Sequence, residues 1–331
     1  MKFYSTLLML LLCLTSMAQD NTKFYGNWVR TRVTYKDGRE LTDDNTQKYE
    51  YLRYNFTAPD KAYLAYKYDY RGSGPYNYSI NGKILQLGAS HLLIEKITKD
   101  SIIMVQESNY GFDSPDCLRF YFTSEPVYQK AIPLRKDDLI SVHGTDTIYR
   151  ASEKIYAGFI DNSGFRTMVS DAVRGLQAQT PINDHFLATF IINKQGEADS
   201  LHIIKGINAD YDKQFIRVFN KAKKRWIPAV YNGKVVSVQM KQEVYFTPIE
   251  KYSVYQRYLN LGNDAMYKGD YTLALFNFNK ALKNYAQGDL YYKMALCQIM
   301  LGNINEACDS MLKSEALDYT AATGLMRKYC R

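Results

Sequence analysis

Residues able to do acid–base, metal or nucleophilic chemistry are sparse in this chain. There are four histidines, His91, His143, His185 and His202, and no two stand at a metal-ligand spacing such as His-Glu-x-x-His. His202 alternates with Leu201 and Ile203 in a strand-like pattern and is expected to face solvent. Asp43-Asp44 and Asp137-Asp138 are adjacent carboxylates. Paired acid–base work needs two carboxylates converging on one bond. Neighbours in extended chain point apart, so these pairs are read as turn and cap residues. Arg71-Gly72-Ser73-Gly74-Pro75 is glycine-rich, but no helix follows it to aim N–H groups at a phosphate. Gly-x-Ser-x-Gly, Walker A and Gly-x-Gly-x-x-Gly are absent from the sequence. No catalytic residue, cofactor site or metal site is expected.

The elements that would position any site come from composition and pattern. The chain has 331 residues, room for two or three domains, with 46% apolar and 23% charged residues. Its 30 tyrosines favour half-buried strands and wet binding surfaces. The start, MKFYSTLLMLLLCLTSMAQD, has a basic Lys2, an apolar run from Leu7 to Leu14, and small Ser16 and Ala18 before Gln19. That is the pattern of a cleaved signal peptide over residues 1–18. A lipoprotein reading of Cys13 is weaker, because bulky Leu12 precedes it. The mature chain is expected to be exported, to the periplasm or associated with the outer membrane, and to hold no membrane span. The formal charge of +8 drops by one with Lys2 and is read as a solubility surplus, with no nucleic-acid partner expected. Of the remaining cysteines, Cys117, Cys297, Cys308 and Cys330, none forms a Cys-x-x-Cys. Export permits a disulfide, and a bond from either Cys297 or Cys308 to Cys330 is open.

The fold class expected is multidomain: an all-β meander or small barrel, then an α+β domain, then all-α hairpins. Residues 20–125 alternate short Tyr/Phe/Ile/Val runs with turns at 36–40, 57–61, 71–75, 81–83 and 98–101. Asn81-Gly82 suggests a type I′ hairpin turn. Residues 126–149 form a linker whose end, a hairpin at His143-Gly144-Thr145-Asp146, starts the next domain. In 150–248, Phe165, Met168, Val169, Ala172, Val173 and Leu176 share a helix face, and so do Tyr211, Phe215, Val218, Phe219 and Ala222. Between them two strands flank Lys194-Gln195-Gly196. The cations Lys221, Lys223, Lys224 and Arg225 suit the second helix's C-terminus. Trp226 then covers the gap between helix and sheet, Pro228 stops the helix, and Asn232-Gly233 turns into a long strand.

Three resemblances accompany these patterns. FYGNWVRTRVTYKDGRE, YNYSINGKILQLG and LRFYFTSE, within residues 22–124, resemble bacterial lipocalin-like barrels. There the Gly-x-Trp tryptophan, here Trp28, plugs the core, and a cavity for a small apolar ligand is the implied alternative function. Phe190, Gly196, Trp226, Pro228, Asn232, Gly233, Val235 and Phe246 resemble the C-terminal domain of TonB, the energy transducer of Gram-negative envelopes. The family's Tyr-Pro is missing near Pro181, and the chain lacks a lasting anchor and a Pro-rich spacer. The implied role is therefore docking without force transmission. The family engages receptors by strand addition, which implies Val236, Val238, Met240, Gln242 and Val244 as a partner-docking strand.

Residues 253–331 resemble tetratricopeptide repeats, through Leu261, Gly262, Tyr267, Gly269, Tyr271, Ala274, Phe278 and Ala281. Gly269 and Gly302 are 33 apart, as are Ala274 and Ala307, close to the repeat's period of about 34. The repeat face implies contacts at Asn263, Tyr267 and Tyr292. Two repeats are fewer than the roughly three needed alone, so the tail is expected to pack on the preceding domain. The combination resembles exported multidomain proteins of the Bacteroidetes type. The expectation is a non-catalytic envelope protein acting through protein contact, linked to TonB-dependent outer-membrane transport, with an envelope protein or outer-membrane receptor as partner.

Overall fold

The computed structural model describes residues 21–67, 72–135, 138–143, 146–161, 164–174, 185–245 and 249–330. The leader expected over 1–18 lies outside these residues, as do Arg71, Asp137, Gly144, Thr145, Leu176, Pro181 and Phe246. Eight antiparallel strands come first: β1 (Gly26–Tyr35), β2 (Arg53–Thr57), β3 (Lys61–Ala65), β4 (Ser73–Asn81), β5 (Ile84–Leu87), β6 (Ser90–Ile97), β7 (Ser101–Gln106) and β8 (Leu118–Ser124). They run up and down and close into a barrel where β8 returns to β1, from Trp28 opposite Ser124 to Tyr35 opposite Leu118. Period-two alternation turns one set of side chains inward, and an eight-strand barrel is about wide enough for side chains to fill it. Tyr54 stacks on Phe122 at 4.9 Å, and Phe56 meets Tyr78 edge-on at 5.1 Å. Trp28 is buried in this core, its Nε1 donating to the Phe24 carbonyl at 2.7 Å. The β4–β5 turn differs in detail from the expected type I′. Asn81 pairs with Ile84, so Gly82-Lys83 are the central residues, and only Gly82 (φ 61°) has positive φ. Glycine at the first central position is the pattern of a type II′ turn.

Helix α1 (Glu125–Ala131), with Pro126 in its first turn, leads from the barrel into a mixed sheet. Its strands are β9 (Leu139–His143), β10 (Asp146–Arg150), β12 (His185–Ile192), β13 (Ala198–Lys205), β15 (Ala229–Tyr231) and β16 (Lys234–Tyr245). The order is β13-β12-β16-β10-β9, with β15 also on β16; β10 runs parallel to β16 and β12 antiparallel. The segment read as a linker thus contributes the β9–β10 pair to the sheet. A separate short ladder joins β11 (Gly158–Phe159) to β14 (Trp226–Ile227).

Helices α2 (Gly164–Val173) and α3 (Ala209–Ala222) bury the faces expected of them. Phe165 and Val169 of α2 and Phe215, Val218 and Phe219 of α3 form one core with Phe186 and Phe190 of β12. Asn208 caps α3 by accepting from Tyr211 N–H at 2.8 Å, and Asp210 and Asp212 sit in its first turn. Trp226 follows α3 and meets the rings of Phe159, Phe165 and Phe190 at 4.9, 5.2 and 5.4 Å. Gly196 (φ 74°) lies beneath it, where a β-carbon would stand 2.5 Å from the Trp226 carbonyl oxygen. Asn232 (φ 48°) and Gly233 (φ 74°) both take the left-handed conformation that a type I′ turn requires. In the basic cluster after α3, Lys224 faces Glu197 at 3.5 Å and Arg225 pairs with Asp161.

The C-terminal region is helical: α4 (Ile249–Tyr267), α5 (Tyr271–Leu282), α6 (Gly288–Met300), α7 (Ile304–Ala316) and α8 (Ala321–Tyr329). Both hairpins, α4–α5 and α6–α7, turn on a left-handed glycine, Gly269 (φ 79°) and Gly302 (φ 80°). Ala274, Ala281 and Ala307 are fully buried, and a side chain at Gly262 would overlap the Phe278 ring. Among the described residues no helix is long and apolar enough to cross a membrane.

Of the two pairings left open, the structure forms Cys308–Cys330, which ties α7 to the residue after α8, while Cys297 stays a buried thiol. The bond closes a loop with a sequence separation of 22. Chain-entropy arguments for a loop of that size give about 3 kcal/mol. Thermal unfolding with and without a phosphine reductant should therefore separate by several degrees, with α8 losing hydrogen-exchange protection first. Coincident melts would show that the cystine carries no weight.

Candidate functional site

Three of the histidines have described side chains, and each has its own surroundings. His91 Nδ1 lies 2.7 Å from Glu107 on the barrel exterior, His202 is exposed on β13, and His185 Nδ1 lies 3.1 Å from Lys205 Nζ. Among the described residues no group of three His, Cys, Asp or Glu side chains could hold a metal.

The expected docking strand, β16, lies within the mixed sheet. Along β16, Val238 (0% exposed) and Met240 belong to the domain's core, Gln242 is buried, and Val236 and Val244 pack against that core partly buried. One side of β16 pairs with β12 from Val238 to Tyr245, and β10 pairs in parallel with Ser237, Val238 and Gln239. Strand addition uses an open edge and side chains free for a partner; among the described residues β16 pairs from Met240 to Tyr245 with β12 alone, while the side chains of Val238, Met240 and Gln242 are buried. The outer strand β13 pairs only with β12 among the described residues. Its two register shifts and Lys205 blunt it as a template.

The expected repeat face also divides. Tyr267 is 93% exposed at the end of α4, and Asn263 is half-buried. Tyr292 is fully buried, its ring against Tyr319 and its hydroxyl 3.5 Å from the Asp43 carbonyl of the barrel. Tyr292 belongs to an interface within the chain, because the β1–β2 loop of the barrel covers it.

That interface binds all three regions together. The Asp43 carboxylate accepts from Lys48 and Tyr49 of its own loop, each at 2.7 Å, and from Lys328 (2.7 Å) and Tyr329 (2.5 Å) of α8. Burial alone would raise its pKa. The donors, Lys328 and Lys48 foremost, outweigh burial and hold the carboxyl well below the ordinary range. Nearby, the Tyr51 N–H donates to Thr320 Oγ1 at 3.3 Å, and Tyr49 lies under Gly324. On the other side of the barrel's exit, Glu125 is pushed up by burial against the pull of Arg53 and Asn27, and it accepts from Tyr156. Glu153 accepts from Tyr128 at 3.1 Å and pairs with Arg327 of α8. Arg135 reaches Glu315 of α7 at 3.0 Å, and Lys241 of β16 donates to the Ala316 carbonyl at 2.6 Å.

Between the sheet face opposite α2 and α3, the chain after α1, and helices α7 and α8, this junction leaves a cleft of about 760 Å³. Lys154 and Asp138 lie in its wall, 3% and 2% exposed and 3.7 Å apart. Lys154 Nζ also donates to the Ile132 carbonyl at 3.1 Å and to that of Pro133. Burial lowers its pKa against the opposing pull of Asp138. A cleft of this size at a domain junction is the usual place for a ligand. Sequence reasoning missed it because its walls come from segments up to about 200 positions apart, from Ile132 to Cys330. The pairing option for Cys330 was the one signal that pointed there. No protein-family model matches the chain, and no curated protein matches it.

Proposed function

We propose that the chain is a non-catalytic, exported cell-envelope protein that acts by contact with another envelope protein, through a tetratricopeptide-like tail. The observation that carries this reading is the pair of helical hairpins. They recur at a spacing of 33 with the same left-handed glycine turn, and they leave large apolar side chains outside. Leu273 (48% exposed) and Phe276 (57%) lie one turn apart on α5, and Met300 (58%) ends α6. Exposed apolar groups set side by side mark contact surfaces more often than scattered ones do. The TonB-like resemblance of residues 150–248 supports a link to outer-membrane transport, with the domain serving as the scaffold of the tail. The carrier alternative, a small apolar ligand inside the lipocalin-like barrel, has little support, because aromatic rings occupy that interior.

The test is an affinity capture from detergent-solubilised envelope with the mature chain, residues 19–331, beside a Leu273→Lys, Phe276→Glu double variant. Both substituted positions are about half exposed, so the variant should fold. An envelope protein held by the native chain and at least tenfold depleted on the variant is the expected result. Equal recovery on both baits, or none on either, would remove the tail from the binding role.

A further inference from the structure

Helix α3 carries more positive charge than its own fold uses. Lys213, Arg217 and Lys221 stand at i, i+4 and i+8, and all three are exposed. That spacing puts them on one face of the helix, along about 12 Å of its length. With Asp210, Gln214, Ile216 and Asn220 they line one shallow surface depression. Just past the helix, Lys224 pairs with Glu197 and Arg225 with Asp161, whereas Lys213, Arg217 and Lys221 form no ion pair among the described residues.

Helix stability does not account for this row. The macrodipole favours cations only in the last turn, which covers Lys221 but neither Lys213 in the second turn nor Arg217 in the third. Like charges at i, i+4 repel, so the row weakens the helix that carries it. The surroundings supply little counter-charge. Asp212 is turned to accept from the Ile207 N–H at 3.1 Å. Helix α2 packs beside α3, where Gln214 donates to the Ala172 carbonyl at 3.4 Å, and its Asp171 is already paired with Arg174. The depression thus holds three cations against the one carboxylate of Asp210, and an outside anion meets a local surplus.

The shape of the surplus narrows the partner. The cations follow one another at about 6 Å along the axis, and carboxylates at every fourth position of a second helix repeat at the same interval. Three ion pairs can therefore form in register. Ile216, 41% exposed, lies beside the row and adds an apolar contact. A lipid surface would call for cations spread over a plane, but the row is confined to α3, since Arg174 of the neighbouring helix has its own partner. Single-stranded nucleic acid uses rings for base stacking, and no aromatic side chain stands among the described lining residues. We propose that the outer face of α3 docks an acidic helical segment of a protein partner, with Lys213, Arg217 and Lys221 opposite carboxylates one turn apart. This surface is separate from the tail face of Leu273 and Phe276, and the two stand or fall independently.

The experiment uses the full mature chain and reads amide chemical shifts by NMR. The probe is a capped, alanine-rich helical peptide with three glutamates at successive fourth positions. Its comparisons are an isomer with the glutamates spread around the helix, phosphatidylglycerol vesicles and a short single-stranded DNA. Exposed ion pairs are individually weak, so a dissociation constant on the order of a millimolar or tighter is expected, with shifts concentrated in α3. Raising salt to about 0.3 M should weaken binding several-fold. Arg217→Glu sets a carboxylate one turn from both Lys213 and Lys221, an arrangement that favours the helix, so this variant should fold. It should weaken the peptide about tenfold. Lys96→Glu, the same charge change at an exposed position on β6 of the barrel, should leave the affinity within twofold. The tail variant Leu273→Lys, Phe276→Glu should bind the peptide as the native chain does. Absence of shifts in α3 at several times the expected constant would overturn the proposal. So would equal losses in Arg217→Glu and Lys96→Glu, equal binding of the isomer, or shifts in α3 produced by vesicles or DNA and not by the peptide.

Discussion

Trp226→Ala is expected to cost the α/β domain about 3–5 kcal/mol, the range for truncating a large buried aromatic side chain. Trp226 is 7% exposed and touches three rings that come from three separate elements: Phe159 of β11, Phe165 of α2 and Phe190 of β12. The gap cannot close by a small shift, because Gly196 already brings the β12–β13 turn against the Trp226 backbone. The indole Nε1 is buried without a hydrogen-bond partner. Trp226→Phe would keep much of the ring contact and remove that unsatisfied donor, so it should lose well under half of what alanine loses. A three-region chain need not melt in a single step. The readout is therefore hydrogen exchange along β12 and α3, where protection should fall about a hundredfold or more in the alanine variant. Protection within tenfold of the native value would show that the tryptophan is not what joins these helices to the sheet.

Local pattern carried far in this protein. The helix faces of α2 and α3 follow from apolar spacing, the Asn232-Gly233 turn follows from its residue types, and the two helical hairpins follow from a repeat of 33. Each of these is decided within a dozen or so residues. What stayed hidden was decided by pairing across long separations. The register of β8 on β1 is one such pairing, and the parallel pairing of β10 with Ser237 to Gln239 of β16 is another. An alternating strand such as VVSVQMKQEVY reads the same whether its outer edge is open or filled. Nor does the pattern separate the buried Val238 and Met240 from the partly buried Val236 and Val244. The burial of Tyr292 is a second case. Its position in the repeat is that of a surface contact, and only the arrival of the Asp43 loop, 249 residues away, buries it. The turn at Gly82 shows the limit on a small scale: Asn-Gly signals a hairpin, but register decides which two residues become its centre.

Asp43→Asn is expected to loosen the tail from the barrel by about 2–3 kcal/mol while leaving both folded. The carboxylate collects four donors, two from its own loop and two from α8, and charge-assisted bonds are each worth roughly 1.5–3 kcal/mol before solvent screening. The group is partly exposed, with 22% of its side-chain surface accessible, so the sum is discounted well below four such terms. Asparagine keeps the size but offers one acceptor oxygen and no charge, leaving Lys48 and Lys328 facing a neutral group. The pH dependence follows from the direction of the shift. The folded-state pKa lies below that of the unfolded chain, so the stabilisation is complete above about pH 4 and is lost as pH falls from there toward the folded value. Native protein should thus shed hydrogen-exchange protection at residues 43–51 and 320–330 on acidification below about pH 4. The variant should already lack it at pH 7 and change little over the same window. A Lys328→Met partner completes a double-mutant cycle, and a coupling of about 1 kcal/mol or more is expected if the pair bridges the junction. If Asp43→Asn keeps native protection at neutral pH and shows the same acid response, the junction is held by the apolar contact of Tyr49 with Gly324 and by Arg327 with Glu153, and the Asp43 cluster only decorates it.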